Sequence, residues 1–321
     1  MDANYTFVTE FVLLSFPHIR ELEVFLFIMI FIIYVLTLMG NMVIIILICT
    51  DYRLHTPMYF FLGNFSFMEI LITSVVVPKM LQNLLSKKKS ISFAGCITQS
   101  YFYFFLGGVE FILIAAMSFD RYSAICNPLH YNNVMTGRVC VHIVVCSWLG
   151  GFFSNIFSTI MMTRLPFCGP NVINHFFCDS APLLRLTCIS IQLFDFIEFL
   201  NFIFSTIVII TSLLVTVVAY AFISVTILRL PSLEERQRAF STCATHITMA
   251  VLGYGSTIFL YVRPAKSTSV QDKLVALLNT IVTPALNPFI FSLRNKMVKD
   301  VARDAYNKSL LFFKNLRKLG M

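Results

Sequence analysis

The sequence predicts an all-α membrane protein: a seven-transmembrane helix bundle followed by a short amphipathic helix. Of its 321 residues, 58% are hydrophobic and only 12% are charged, whereas soluble domains carry about 25% charged residues. The mean hydropathy is +0.81, so a soluble globule could not cover its surface with polar groups. The same values exclude a disordered chain and favour one membrane-embedded bundle.

Seven stretches approach or exceed the roughly 20 apolar residues that a helix needs to cross the hydrocarbon core. Apolar residues cover nearly the whole circumference of each stretch, as in a membrane span. The alternation in ~10-residue segments that is typical of a β-barrel is missing. The predicted spans are residues 24–50, 57–82, 97–122, 139–162, 196–228, 239–262 and 274–293. They divide the chain into an N-terminal arm (1–23), the bundle (24–293) and a tail (294–321).

An odd number of spans places the two termini on opposite sides of the membrane. Cys96, Cys168, Cys178 and Cys188 all fall on the side of the N-terminus, and disulfides persist only in an oxidising compartment. A glycosylation acceptor at Asn4, in the sequence Asn-Tyr-Thr, lies on the same side. We therefore predict a multi-pass protein of the plasma membrane with an extracellular N-terminal arm and a cytoplasmic tail. The Lys and Arg residues of the loops alone do not decide the orientation.

Two carboxylates interrupt the apolar pattern near the middle of the predicted spans, Glu69 in the second and Glu110 in the third. Ionisable groups at this depth are costly and are therefore functional candidates. One interpretation is two carboxyls that stay protonated or hydrogen-bond to a neighbour. The other is a shared site for a proton or a sodium ion, with Asn41 and Asn287 completing a polar cluster.

Two further motifs lie in the third and seventh predicted spans. Asp120-Arg121-Tyr122 closes the third span, either as an interfacial charge pair or as a latch whose arginine changes partner between two states. The run PALNP at 284–288 puts two prolines inside the seventh span. Each proline removes a backbone hydrogen bond, so the run is either a static kink or a hinge.

The tail mixes basic and apolar side chains between residues 294 and 314. This pattern predicts a helix lying on the anionic inner leaflet, with membrane lipid as its partner; a solvated basic tail is the alternative. The basic residues elsewhere mostly flank spans, so no nucleic-acid partner is expected.

The loop sequence His-Phe-Phe-Cys-Asp at 175–179 has a spacing that could hold a soft metal ion. Three ligands in one loop define no coordination geometry, and we expect no metal. No phosphate-cradling glycine loop and no nucleophile–base pair is found, so an enzyme is not expected.

Four sequence blocks carry a family resemblance. They are LHTPMYFFL at 54–62, MSFDRYSAICNPLHY at 117–131, RAFSTCATH at 238–246 and PALNPFIFSLRN at 284–295. Together they resemble the vertebrate odorant receptors, a branch of the rhodopsin-like (class A) G-protein-coupled receptors. The chain departs from that family at Ser118 and Phe119, which replace the usual Ala and Tyr, at Phe291, which replaces a Tyr, and at Glu69, where Asp is more common.

The resemblance implies a receptor that binds small, mostly apolar volatile ligands in the outer half of the bundle and activates a heterotrimeric stimulatory olfactory G protein, which raises cAMP. It implies the disulfides Cys96–Cys178 and Cys168–Cys188. Mapped onto this chain, the ligand-binding residues are Tyr103, Phe104, Gly107, Gly108, Asn201, Phe204, Ser205, Val208, Tyr254, Thr257, Ile258, Tyr261, Leu277 and Thr280. The G-protein coupling and switch residues are Asp120, Arg121, Tyr122, Arg236, Arg238, His246, Asn287 and Pro288. No cofactor is expected, apart from a proton or sodium ion at Glu69 and Glu110.

The chemistry of the ligand set limits the ligand. The set offers aromatic and aliphatic surface with a few hydroxyls, as small-molecule pockets usually do. No acid occupies the outer part of the third span, so a protonated amine is not expected; Glu198 is the one nearby carboxylate. A small apolar ligand should bind weakly, at about −8 kcal/mol or less favourably. A transporter or channel that uses Glu69 and Glu110 is the alternative function, and the lack of internal repeats disfavours it.

Overall fold

Seven long helices dominate the structure, a computed structural model that describes residues 8–15, 19–167, 170–261 and 270–318. For residues 191, 194, 198, 201, 204, 235, 238, 241, 242, 291–294, 296 and 309–318, the backbone alone is described. All seven are long and apolar enough to cross a membrane, which confirms the predicted fold class. Spans one to six are Arg20–Thr50, Pro57–Leu85, Phe93–Cys126, Gly137–Arg164, Ile191–Leu228 and Leu233–Tyr261; span seven comprises Val270–Leu277, a π-helical segment Leu278–Val282, and Thr283–Arg294.

Polar side chains cap several spans and set where they begin. The hydroxyl of Ser92 accepts a hydrogen bond from the Gly95 N–H (3.1 Å) at the start of span three. Ser190 accepts from the Leu193 N–H (3.4 Å) in the same way at the start of span five. Such caps satisfy backbone donors that have no partner inside the helix. Both spans therefore begin about one turn before the predicted position, because the capping serines, and not the hydropathy of the chain, set where they begin.

Span three lies at the centre of the bundle, where it contacts spans two, four, five and six. In its most apolar stretch 61% of residues are buried, against 17% in span one. Span one is therefore peripheral, and its exposed Phe25, Phe31 and Ile32 form a surface suited to lipid.

Spans three and four cross at a pair of glycines. A Cβ added to Gly151 would lie 2.7 Å from the carbonyl oxygen of Phe105, and one added to Gly108 would lie 3.3 Å from the Gly151 Cα. Glycine is required because the two backbones are nearly in contact, a packing mode common between membrane helices.

A small sheet covers the end of the bundle that carries the N-terminus. Strand β1 (Glu10–Leu13) pairs antiparallel with β2 (Ser90–Ser92) and parallel with β3 (Val172–Ile173). Phe11 and Leu13 are fully buried beneath it. Residues 10–13 of the predicted N-terminal arm therefore form a strand held against the loops that precede spans three and five.

Polar contacts and a disulfide fasten this cover to the spans. The Lys273 ammonium, in span seven, donates to the Leu14 carbonyl (2.8 Å), the Ser15 carbonyl (3.1 Å) and Asn174 Oδ1 (2.7 Å). Cys96 of span three and Cys178 of the loop after span four form a disulfide. The cover is thus tied to spans three and seven.

The helix Lys296–Lys318 follows span seven, as predicted, and we call it the C-terminal helix. Val298 and Val301 are buried in a cluster with Leu47 and Leu54. Arg53 Nη2 bridges Asp51 Oδ2 (2.8 Å) and Asp304 Oδ2 (2.9 Å). Apolar burial and an ion pair therefore hold this helix against the C-terminal end of span one.

Candidate functional site

A cavity of about 530 Å³ lies between the spans, in the half of the bundle nearer the N-terminus. Its volume falls within the ~300–1,000 Å³ of small-molecule sites. Side chains of spans two to seven form its walls, with Glu110 among them, and the short helix Ser180–Leu184 contributes at the covered end.

Most of the predicted ligand-binding residues line this cavity. They are Tyr103, Phe104, Gly107, Gly108, Ser205, Val208, Thr257 and Tyr261. For Asn201 and Phe204 only the backbone is described, so their side-chain positions lie outside the described part of the chain.

The remaining predicted residues lie behind the cavity wall. Tyr254 is buried, its hydroxyl is 3.3 Å from Thr216 Oγ1 and its ring stacks on Phe111 at 5.1 Å. Thr280 Oγ1 is 3.1 Å from the Tyr103 hydroxyl. Ile258 and Leu277 pack against the apolar core. These four residues therefore contact lining side chains or the core and do not line the cavity. Spans six and seven turn a different face toward the cavity from the one that the predicted set assumes.

One wall of the cavity was missed by the sequence analysis. Four polar residues of span four line it, namely Ser154, Asn155, Ser158 and Thr159, and Asp195 of span five contributes a carboxylate. The spacing of the span-four residues puts them on one helical face, so a polar stripe in an apolar span was a detectable signal.

Aromatic residues of the loop before span five pack at the covered end. The ring of His175 stacks on Phe176 at 4.6 Å, and Phe177 packs on Tyr103 at 4.5 Å. Burial and the charge of Lys273 lower the pKa of His175 to about 3, so this imidazole is neutral at physiological pH. Burial raises the pKa of Asp179 to about 6, while its carboxylate accepts a hydrogen bond from the Ala181 N–H (3.2 Å).

Metal binding gains no support in this loop. Among the residues that the structure describes, no three His, Cys, Asp or Glu side chains are arranged to hold a metal ion. Cys178 is already bonded to Cys96. Cys188 is disulfide-bonded too, but Cys168, its predicted partner, and Asn4, the predicted glycosylation site, lie outside the described residues.

A buried polar cluster lies between spans one, two and seven. Asn287 donates a hydrogen bond to the Glu69 carboxylate, and Asn41 donates to the Pro284 carbonyl at 3.4 Å. Both amide oxygens, Asn41 Oδ1 and Asn287 Oδ1, are buried, and neither has a hydrogen-bond partner among the described residues. Glu110 lies close enough to Glu69 to interact with it electrostatically. This oxygen-rich cluster could hold a proton or a hard cation.

The Asp-Arg-Tyr motif ends span three. Asp120 is fully buried and accepts a hydrogen bond from the Tyr131 hydroxyl (2.8 Å). Arg121 Nε is 3.6 Å from Asp120 Oδ2 and has no hydrogen-bond partner in the described part of the chain. Tyr131 belongs to one of the four sequence blocks and has no predicted role. In the structure its hydroxyl bonds to the aspartate of the predicted latch.

The other predicted switch residues lie in spans three, six and seven. The ring of Tyr122 packs on Phe222 at 5.8 Å, and Arg236 Nε donates to the Leu230 carbonyl (2.9 Å). His246 is buried in span six, and the side chain of Arg238 lies outside the described part of the structure. A Cβ added to Gly40 would lie 2.9 Å from Pro288 Cβ, so spans one and seven touch at that proline.

Comparisons with known proteins agree with these features. A family model described as olfactory receptor matches residues 30–308. Olfactory receptor 6E1 of Mus musculus is 51% identical over 308 residues, which cover 95% of this chain and 97% of that protein. Olfactory receptor 6J1 of Homo sapiens is 50% identical over 300 residues, or 93% of this chain and 86% of that protein. Olfactory receptor 6S1 of Homo sapiens is 49% identical over 310 residues, or 96% and 93%.

Proposed function

This chain belongs to the olfactory receptor family of multi-pass G-protein-coupled receptors, which are not enzymes, and we propose how it works. Small, mostly apolar volatile odorants bind in the cavity and activate a stimulatory olfactory G protein, which raises cAMP. The observation that carries this proposal is the cavity itself: its size suits a small molecule, and most residues of the expected ligand set line it.

The lining supports weak binding of neutral ligands. Aromatic and aliphatic side chains such as Phe104, Phe111 and Ile209 provide much of the surface. Apolar burial contributes roughly 25 cal/mol per Å², so a small odorant binds at micromolar concentrations or above, at about −8 kcal/mol or less favourably.

Span six transmits binding to the inner side. Ligand contacts Thr257 directly and acts on Tyr254 through the stacked ring of Phe111. A ligand shifts an equilibrium only by its different affinity for the two states. The ligand-preferred state is one in which the inner end of span six swings outward. This movement frees Arg121 and opens a cleft beside Arg236, Arg238 and His246 for the G protein.

The buried cluster around Glu69 and Glu110 serves as a site for a proton or sodium ion in this proposal. The buried amide oxygens of Asn41 and Asn287, which have no hydrogen-bond partner in the described part of the chain, support it, because oxygen atoms are the ligands that hard cations prefer. The cluster adjoins the proline run of span seven, so its occupancy biases the conformation of that span.

The proposed receptor has its N-terminus outside the cell and its C-terminal helix on the inner leaflet. A disulfide in the loop on the N-terminal side supports this orientation, since such bonds persist in oxidising compartments. The C-terminal helix buries Val298 and Val301 against the bundle and exposes Met297, as a surface-bound helix would.

The proposed function is tested by measuring cAMP in cells that express this chain with and without the olfactory G protein, across a panel of volatile odorants. We expect dose-dependent rises at micromolar concentrations that require the G protein. Surface expression and basal cAMP are measured in parallel. A surface-expressed receptor without any basal or odorant-dependent cAMP in the presence of the G protein contradicts the proposal.

A further inference from the structure

Span four carries a polar face that forms one side of the cavity. Ser154, Asn155, Ser158 and Thr159 all line it. They lie just beyond Gly151, where spans three and four are nearly in contact. Polar side chains in a membrane helix are expensive when they face lipid, so their position on the cavity wall points to a polar group of the ligand.

Asn155 has hydrogen-bonding capacity to offer a ligand. Its Nδ2 donates to Ser154 Oγ (2.9 Å), and Ser154 Oγ donates in turn to the Gly151 carbonyl (2.8 Å). The hydrogen bonds of the described residues thus fix the amide in place while using one of its N–H groups. The second N–H can donate and Oδ1 can accept. A hydroxyl group, which both donates and accepts, complements this amide.

The charges of the lining disfavour carboxylate ligands. Glu110 and Asp195 contribute acids, while no Lys, Arg or His of the described residues lines the cavity. A carboxylate ligand would enter without a cation to pair with and would face two acids, which is unfavourable in a partly dry site. A neutral hydroxyl meets neither obstacle.

We propose that Asn155 is a specificity-determining residue that binds the hydroxyl of a neutral alcohol, whose hydrocarbon part lies along the apolar wall of the cavity. This inference rests on the proposed function, since it names the ligand class of the same cavity. The second N–H of Asn155 donates a hydrogen bond to the alcohol oxygen, and its Oδ1 accepts one from the alcohol O–H. The aromatic and aliphatic residues of spans three and five bury the hydrocarbon part of the alcohol.

The experiment compares a series of volatile alcohols with the alkyl chlorides and carboxylic acids of the same carbon skeleton. Each is tested on the original receptor, on Asn155→Leu and on Thr163→Val. Thr163 lies on the same helix and is exposed, with its hydroxyl bonded to the Ile160 carbonyl, so it serves as the matched control. Asn155→Ala replaces the leucine variant if the latter does not reach the surface. Purified receptors are also tested for ligand-dependent thermal stabilisation, which needs no G protein.

We expect alcohols to be the more potent ligands, and Asn155→Leu to lower their potency about tenfold, the worth of one good hydrogen bond to a ligand. The same variant should change the potency of the chlorides by less than about threefold. Thr163→Val should leave the potency of both alcohols and chlorides unchanged. Stabilisation by alcohols that depends on Asn155, without any cAMP response, would support this inference and contradict the proposed function.

Four results would overturn the inference. One is a higher potency of the carboxylic acids than of the alcohols on the original receptor. Another is an equal loss of potency for alcohols and chlorides in Asn155→Leu. The third is a loss of alcohol potency in Tyr261→Phe alone, since Tyr261 also brings a buried hydroxyl to the cavity. Failure of every alcohol to stabilise the receptor also contradicts it, and cAMP responses to other odorants would then leave the proposed function intact.

Discussion

Replacing Gly107 with phenylalanine is expected to abolish odorant responses while the receptor still folds and reaches the cell surface. Gly107 lines the cavity, and a Cβ added there would have no heavy atom within 4 Å. The new Cβ therefore meets no neighbour, and the ring extends into the space that a ligand needs. We expect potency to fall at least about a hundredfold, equivalent to roughly 2.7 kcal/mol of binding free energy, in cAMP dose–response curves normalised to surface expression.

Gly255 provides the matched control. A Cβ there would also meet no atom within 4 Å, but Gly255 is exposed on span six and does not line the cavity. Gly255→Phe should respond as the original receptor does. The loss of odorant potency in Gly107→Ala should lie between those of Gly107→Phe and Gly255→Phe, because one methyl group fills little of the cavity. Equal losses at both positions would mean that the ring disturbs the helices and does not compete with ligand.

Replacing Arg121 with alanine is expected to remove both basal and odorant-dependent cAMP without loss of surface expression. In the proposed mechanism the arginine leaves Asp120 and faces the G protein in the active state. Among the described residues its guanidinium contacts that carboxylate at 3.6 Å, and in the variant Asp120 keeps the hydrogen bond from the Tyr131 hydroxyl, so we expect the receptor to fold. Surface labelling and cAMP measured on the same cells separate folding from signalling.

Asp120→Asn should have the opposite effect. The amide oxygen can still accept the hydrogen bond from Tyr131, but the charge that retains Arg121 is gone. Basal cAMP is expected to rise severalfold above that of the original receptor. If both variants lower cAMP in proportion to their surface expression, the motif has a structural role and the latch is wrong.

The bundle could be predicted from the sequence because apolar length alone defines membrane spans. The first turns of spans three and five were missed, since their ends depend on the caps Ser92 and Ser190 and not on hydropathy. The π-helical segment Leu278–Val282 was not predictable either. It depends on packing and on local partners, such as the Thr283 hydroxyl that donates to the Leu278 carbonyl (3.1 Å).

The cavity was predicted in part. Residues 104, 107 and 108 share a helical face, and all line it as that spacing indicates. The face that spans six and seven present depends on how each helix is rotated, so Tyr254 and Thr280 were assigned to the lining and lie behind it. The sheet of β1, β2 and β3 pairs strands of two to four residues from distant parts of the chain, and so short a pattern carries no sequence signal.

The central claim is that odorants act from within this cavity, and protection of a single cysteine tests it most directly. Gly107→Cys places a thiol on the cavity wall, and its alkylation by a membrane-permeant maleimide is followed by mass spectrometry of the peptide that contains it. At an agonist concentration about ten times its dissociation constant, we expect alkylation about tenfold slower, with no change at Gly255→Cys. An agonist that raises cAMP through Gly107→Cys at full potency yet leaves its alkylation rate unchanged would show that odorants act from outside the cavity.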